Sequence, residues 1–240
     1  MGYLSGFHAI EERLRAGGSR GPLLVAKIGP RARELVALAT EHRIPIHRVG
    51  THELDRIASD HRGIVLQVED LPGKGDLSLE GFIAGLGDRK DALVAVLDEI
   101  TDPHNYGAIL RSCDQFAVDL VLTRRRRIAK HAEVIARTSA GAVSWVSAVE
   151  TPNLSRALRD LKDAGFWIYG ADMAGEPVYT KDLTGRLAFI LGGEGGGISR
   201  LLRDACDGFV SIPAKGRLDS LNVSVAAGVI FYEALRQRAR

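Results

Sequence analysis

The residues best suited to chemistry fall in three segments, each following an apolar run that is typical of a strand. The first, residues 97–111, reads LDEITDPHNYGAILR. Asn105 is predicted to cap a helix on which Gly107 and Arg111 follow within two turns. Gly107 destabilises that helix by about 1 kcal/mol relative to Ala. A close approach of another group to the backbone would explain why glycine occurs there. Arg111 either points into a site or faces solvent.

The second segment, residues 191–199, places Glu194 inside a run of glycines between an apolar strand and a helix. Glycines let backbone N–H and C=O groups touch a ligand directly. The segment matches neither GxxxxGK[ST] nor GxGxxG, and a central carboxylate repels phosphate. The loop therefore suits a neutral or cationic ligand, and the alternative is a flexible turn.

The third segment, residues 212–226, leaves a strand at Pro213, passes a basic Gly loop and opens a long helix. Ser220 is predicted as the N-cap of this helix. Asn222 lies inside the predicted helix, where asparagine has a poor propensity, so a role beyond capping is plausible for it.

Apolar runs and helical spacings alternate along the chain and predict an α/β fold. From residue 92 to 240 the predicted strands are solidly apolar, which indicates a parallel sheet covered on both faces. Ligands bind beyond the carboxyl ends of such strands, where all three segments lie. Residues 1–70 predict a smaller α/β domain, and residues 71–91, rich in Gly and Asp, predict a linker.

Composition excludes several classes of protein. The 240 residues are 45% hydrophobic and hold two cysteines, Cys113 and Cys206, which cannot form a disulfide framework or a Cys-based zinc site. No apolar run approaches the ~18 residues that span a bilayer, and the first residues do not resemble a signal peptide. We therefore expect a cytoplasmic protein that is not associated with a membrane. The scattered histidines predict no metal site.

The net charge of +2 conceals clustering, because 32 basic residues nearly cancel 30 acidic ones. A run of four arginines, Arg124, Arg125, Arg126 and Arg127, follows a predicted strand near the first segment. Such a run is either a solvated loop or a surface that binds nucleic-acid phosphates with strong salt dependence.

Together the three segments resemble one family. NxGxxxR, a Gly-rich loop with a central Glu, and IPxxGxxxSLNVSxAxG are similar to the three motifs of the SpoU-type, TrmH-like RNA ribose 2′-O-methyltransferases, over about residues 92–240. The opening GFHAIEERL resembles the ribosomal-protein-L30-like RNA-binding module of the bacterial 23S rRNA guanosine-2′-O-methyltransferase subgroup.

This resemblance implies a trefoil-knot (SPOUT) α/β domain that binds S-adenosylmethionine, a small N-terminal L30-like α/β domain that binds RNA, and a homodimer. The implied partner is 23S ribosomal RNA or a ribosome-assembly intermediate. The implied cofactor-binding residues are Gly192, Gly193, Ile212 and Leu221. The implied catalytic residues are Arg111, Glu194 and Asn222, with Asn105 and Ser220 in support.

A guanidinium stays protonated, since its pKa exceeds about 12, and is a poor general base. We therefore expect Arg111 to bind the target phosphate or to stabilise the developing alkoxide. Two alternatives remain. One is another RNA specificity within the same chemistry, such as a tRNA guanosine 2′-O-methyltransferase or a resistance-type rRNA enzyme of the same family. The other is a catalytically silent RNA-binding protein of ribosome assembly.

Overall fold

The structure is a computed structural model that describes residues 2–15, 21–58, 61–68, 77–124, 132–193, 195–217 and 220–239. The chain divides into two compact units, Met1–Gly75 with Ala140–Trp145, and Asp76–Ser139 with Val146–Arg240. No helix within the described ranges is long and apolar enough to cross a membrane.

The N-terminal unit alternates short strands and helices over one mixed sheet. Its described elements are β1 Gly2–Ser5, α1 Phe7–Arg15, β2 Leu23–Val25, α2 Pro30–Glu41, β3 Ile46–Arg48, α3 Thr51–Asp55 and β4 Ile64–Val68. The sheet order is β1-β4-β2-β3, with β4 antiparallel to both neighbours and β2 parallel to β3. Its main core lies between this sheet and α1 and α2, and includes Ile10, Leu35 and Leu66.

The C-terminal unit alternates longer strands and helices. Its described elements are α4 Leu79–Leu86, β5 Ala92–Asp98, α5 Pro103–Gln115, β6 Leu120–Arg124, α6 Ala132–Thr138, β7 Ala148–Thr151, α7 Leu154–Asp163, β8 Trp167–Pro177, β9 Arg186–Gly192, α8 Arg200–Arg203, β10 Gly208–Ser211 and α9 Val223–Arg238.

The described strands of this unit form one sheet in the order β10-β8-β9-β5-β6-β7, and every neighbouring pair is parallel. Both faces are buried: every residue of β5 is buried, which explains its unbroken apolar run. On one face, Val94 and Ile190 share a core with α4, α7 and α8. On the other face, Phe231 of α9 contacts Phe189 of β9 with ring centroids 6.5 Å apart.

Helices α5 and α9 pack side by side in the same direction. Asn105 contacts Asn222 near the start of both helices, and the ring of Phe116 lies 5.9 Å from that of Tyr232 near the far end of α5. Both helices therefore begin at the same edge of the unit.

Gly107 is the point at which α5 touches α6. A Cβ added there would lie 1.9 Å from Oγ1 of Thr138 and 3.0 Å from the carbonyl oxygen of Ile135. The close backbone approach expected from the sequence is therefore present, and its partner is a neighbouring helix.

Arg238 fixes the far end of α9 to the sheet. Its guanidinium donates to the carbonyl oxygens of Leu183, Ala92 and Gly185 over 3.2, 3.1 and 2.8 Å. Burial lowers the pKa of Arg238.

The expected linker and one expected strand differ from the structure. Within the expected linker 71–91, residues 79–86 form helix α4, because Ser78 caps it and Leu79 and Leu86 are buried in the C-terminal core. The apolar residues of 145–149 predict a strand, but the strand is β7 Ala148–Thr151, preceded by a 3-10 turn at Ala142–Ser144, because pairing with β6 begins only at Ala148.

Candidate active site

A cavity of about 380 Å³ lies within the C-terminal unit beside the ends of β9 and β10, where ligands of parallel sheets are expected. The second and third segments of the sequence supply most of its wall. The predicted site residues that line it are Gly192, Gly193, Ile212, Ser220 and Leu221. Its size lies within the ordinary range for small-molecule sites, about 300–1,000 Å³.

The glycine loop that lines this cavity is packed, which argues against a merely flexible turn. Gly193 and Gly197 form a bridge, with the Gly197 N–H donating to the Gly193 carbonyl over 3.0 Å. Gly195 and Gly197 have φ values of +84° and +61°, which side chains other than glycine rarely adopt. A Cβ at Gly192 would lie 2.2 Å from the carbonyl carbon of Gly197. Glu194 lies outside the described residues.

The third segment enters α9 two residues later than expected. Asn222, not Ser220, is the N-cap: its Oδ1 accepts hydrogen bonds from the Ser224 N–H over 2.9 Å and from the Ser224 hydroxyl over 2.6 Å. Asn222 precedes the helix, so the poor helical propensity of asparagine does not count against it. Ser220 is left on the cavity wall.

A hydrogen bond joins the first segment to the third. Nδ2 of Asn222 donates to Oδ1 of Asn105 over 2.9 Å, and Asn105 is 7% exposed. The expectation that Asn105 caps α5 is wrong: the cap is Asp102, which accepts from the His104 N–H over 3.1 Å and precedes Pro103 at the first helical position. Asn105 instead bridges α5 and α9.

Arg111 and Arg124 do not line the cavity. Arg111 is exposed on α5, and no described residue forms an ion pair with it. Arg124 ends β6, and its guanidinium lies 3.6 Å from the carboxylate of Glu99. Arg125, Arg126 and Arg127 lie outside the described residues.

The end of β8 supplies a wall that the sequence interpretation missed. Asp172 and Met173 line the cavity, and Met173 is 64% exposed. Arg203 of α8 donates a hydrogen bond to Asp172 and lowers the pKa of that carboxyl. The sequence pattern predicts a strand over residues 167–171 only, whereas β8 continues to Pro177 and so carries Asp172 and Met173.

No cluster of metal-binding side chains occurs in the described part of the chain. Burial raises the pKa of the Cys113 thiol. Burial also raises the pKa of the Cys206 thiol, to about 11, so both thiols stay protonated at neutral pH. Thiolate chemistry and metal ligation by these cysteines are therefore not favoured.

Comparison with known proteins agrees with this geometry. The family described as "SpoU rRNA Methylase family" matches residues 92–232, and the one described as "RNA 2′-O ribose methyltransferase substrate binding" matches residues 3–72. The chain belongs to the SpoU rRNA methylase family. The family resemblance seen in the sequence is confirmed.

Curated relatives of this methyltransferase match along most of their length. A 23S rRNA (guanosine-2′-O-)-methyltransferase RlmB of Pseudomonas putida is 37% identical, covering 97% of this chain and 95% of that one. The protein of the same description from Xanthomonas campestris is 41% identical, covering 87% of this chain and 84% of that one.

Solved structures confirm the fold class, a SPOUT-type α/β domain with a small N-terminal α/β domain. The SpoU methyltransferase AviRb of Streptomyces viridochromogenes, in complex with AdoMet, is 26% identical with a TM-score of 0.71, covering 99% of this chain and 90% of that one. A TrmH/SpoU tRNA modifying enzyme of A. aeolicus is 30% identical with a TM-score of 0.57, covering 67% of this chain and 82% of that one. The chain is thus an S-adenosylmethionine-dependent RNA 2′-O-methyltransferase.

Proposed function

We propose that this methyltransferase moves a methyl group from S-adenosylmethionine to the ribose 2′-hydroxyl of a guanosine in 23S rRNA, in the cytoplasm. The observation that carries the proposal is the cavity walled by the glycine loop and the third segment, next to the hydrogen bond between Asn105 and Asn222. Relatives described as 23S rRNA enzymes, similar over both units, support the choice of RNA.

The cavity suits the cofactor chemically. Its wall is largely glycine and apolar side chains, which fit an adenosyl group. Gly192, Gly193, Ile212 and Leu221 would hold S-adenosylmethionine, chiefly through backbone groups at the glycines. Bound there, the cofactor supplies an electrophilic methyl group.

The hydrogen-bonded pair Asn105 and Asn222 positions the site, and Arg111 interacts with negative charge on the substrate. Asn222 uses Oδ1 as a helix cap and Nδ2 to bind Asn105, so its side chain is fixed before any substrate arrives. Arg111 carries an exposed guanidinium that would bind the target phosphate or stabilise the alkoxide. The hydroxyl proton would pass to a phosphate oxygen or to water. Glu194 would position the ribose or balance positive charge.

RNA would also contact the arginine run. Arg124 ends β6 beside Glu99, and the four residues proposed to meet phosphates are Arg124, Arg125, Arg126 and Arg127. Contacts with several phosphates would make RNA affinity fall steeply with salt.

The proposed function is tested by incubating the protein with methyl-labelled S-adenosylmethionine and either 23S rRNA, a large-subunit assembly intermediate or tRNA. We expect label at a guanosine 2′-hydroxyl of 23S rRNA, naked or within the intermediate, and loss of that mark in cells lacking the protein. Label in tRNA alone would contradict the rRNA assignment. Bound cofactor without transfer to any of these RNAs would indicate a silent RNA-binding protein.

A homodimer is proposed from an exposed apolar stripe on and just before α9. Its members recur at helical spacing and are 42%, 52%, 39% and 54% exposed: Leu221, Val225, Val229 and Tyr232. Contiguous apolar surface of this kind marks an interface. A second copy of the chain would cover the stripe.

Charges placed in this stripe are expected to break the dimer. The double variant Val225→Asp, Val229→Asp should sediment as a monomer at a concentration where the wild-type protein sediments as a dimer, because each carboxylate would lose water at the interface. Leu201→Asp is the matched control, since Leu201 is 69% exposed but lies on α8, outside the stripe. A monomeric wild-type protein, or a dimer in the double variant, would disprove this interface.

A further inference from the structure

Asp98 is a buried carboxylate that the proposed chemistry does not use. It is the last residue of β5, where it pairs with Gly192 of β9, and its side chain is completely buried. Its Oδ2 accepts a hydrogen bond from the backbone N–H of Ser199 over 2.7 Å. Its Oδ1 is also buried and has no hydrogen-bond partner among the described residues.

Two other aspartates make the same kind of hydrogen bond, but they are less buried and each is paired with a cation. Oδ2 of Asp119 accepts from the Leu93 N–H, and Oδ2 of Asp207 accepts from the Ile168 N–H, each over 2.8 Å. These side chains are 19% and 22% exposed, and each forms an ion pair, with Arg89 and Lys162 respectively. They also lie beside the amino ends of strands, away from the cavity.

Asp98 therefore occupies a costly position. Among the described residues Asp98 has no paired cation, and a buried carboxylate of that kind with an unsatisfied oxygen destabilises a fold more than a neutral side chain of the same shape would. Residues that lower stability in this way are typical of functional sites, where geometry matters more than stability.

The hydrogen bond from Ser199 fixes the exit of the glycine loop. The neck of the loop is closed by the bridge between Gly193 and Gly197, and its entry is packed against β5, since a Cβ at Gly193 would lie 2.4 Å from the Glu99 carbonyl oxygen. Beyond the neck, Ile198 is buried in the core of this unit and the Ser199 N–H donates to Asp98, just before α8 begins. Entry, neck and exit are thus each held.

We propose that Asp98 is a positioning residue for the cofactor: it fixes the glycine loop in the shape that binds S-adenosylmethionine, at the expense of stability. This inference rests on the proposed cofactor site. A loop that is already in its binding shape loses less conformational freedom when the ligand arrives, and therefore binds it more tightly.

Asp98→Asn tests the proposal, with Asp119→Asn as the matched control. In Asp98→Asn the hydrogen bond from Ser199 loses its charge assistance, so we expect the Kd for S-adenosylmethionine to rise about tenfold to hundredfold. RNA affinity should stay unchanged, and the melting temperature should be equal to or above that of wild type. In Asp119→Asn the melting temperature should fall and the Kd for the cofactor should stay within about twofold of wild type, as expected for a loss remote from the site.

The outcomes separate this inference from the proposed function. A wild-type protein that does not bind S-adenosylmethionine contradicts the proposed function itself. If wild type binds but Asp98→Asn binds equally well, or if both variants lose affinity and stability in parallel, the positioning role is wrong.

Amide hydrogen exchange in the wild-type protein gives a measurement that needs no variant. The Ser199 amide should exchange slowly, because its N–H is bonded to Asp98, and the segment 195–199 should gain further protection when cofactor is added. Free exchange at Ser199 would overturn the proposal even if Asp98→Asn fails to fold.

Discussion

Replacing Arg111 with lysine is expected to lower the rate of RNA methylation by about 10²- to 10³-fold, the usual effect of removing one group that stabilises a developing oxyanion. Lysine keeps the positive charge but loses the planar fork that binds two oxygens of a phosphate at once. Cofactor affinity should not change, because Arg111 does not line the cavity. Single-turnover methylation and equilibrium binding of S-adenosylmethionine measure the two effects separately.

The position of Arg111 supports this expectation. It lies on α5 six residues beyond Asn105, which a helix converts to about 9 Å along the axis. Its guanidinium is exposed and without an ion pair to any described residue, so it is available to an RNA phosphate. Asn105, in contrast, is buried against Asn222 and acts through that contact.

Arg159→Lys is the matched control for Arg111→Lys. Arg159 is also exposed on a helix of the same unit, α7, but its helix packs on the opposite face of the sheet. Its substitution should leave methylation near the wild-type rate. Near wild-type turnover in Arg111→Lys would show that the fork geometry is not needed, whereas loss of cofactor binding would assign Arg111 a different role.

The sequence predicts the central features of this site and misplaces its helix starts. The three segments lie after apolar runs, and in the structure the second and third meet at the cavity. Both expected N-caps were wrong because several polar residues compete at each helix start, and the sequence does not say which side chain reaches a free N–H. At α5 the better signal was Pro103, since proline favours the first helical position and points to Asp102 as the cap.

The sequence contains a helical pattern for α4, but the glycine-rich composition around it favoured a linker. The residues Leu79, Phe82, Ile83 and Leu86 recur at helical spacing after Ser78, yet the glycines around them indicated a linker.

Strand β1, in contrast, has no signal in its own sequence. Its four residues form a strand only because β4, about sixty residues later, pairs with them, and no local pattern records that partner.

Gly107→Ala is expected to destabilise the protein, although alanine favours a helix over glycine by about 1 kcal/mol. The added Cβ would lie 1.9 Å from Oγ1 of Thr138, closer than any non-bonded contact allows. Thr138 cannot easily turn away, because Oγ1 donates to the carbonyl of Val134 over 2.9 Å. Overpacking of this kind costs about 1–3 kcal/mol, which exceeds the gain in propensity. Urea unfolding of the full chain measures the balance.

Gly85→Ala is the matched control, because Gly85 lies inside α4 with nothing within 4 Å of its added Cβ. There the same substitution should stabilise the protein by up to about 1 kcal/mol. Thr138→Ala removes the clashing oxygen, so Gly107→Ala should cost less in that background. If Gly107→Ala stabilises the chain as Gly85→Ala does, then α5 and α6 do not touch at Gly107. The glycine of NxGxxxR would in that case be required by the substrate and not by the fold, and methylation would fall while stability rises.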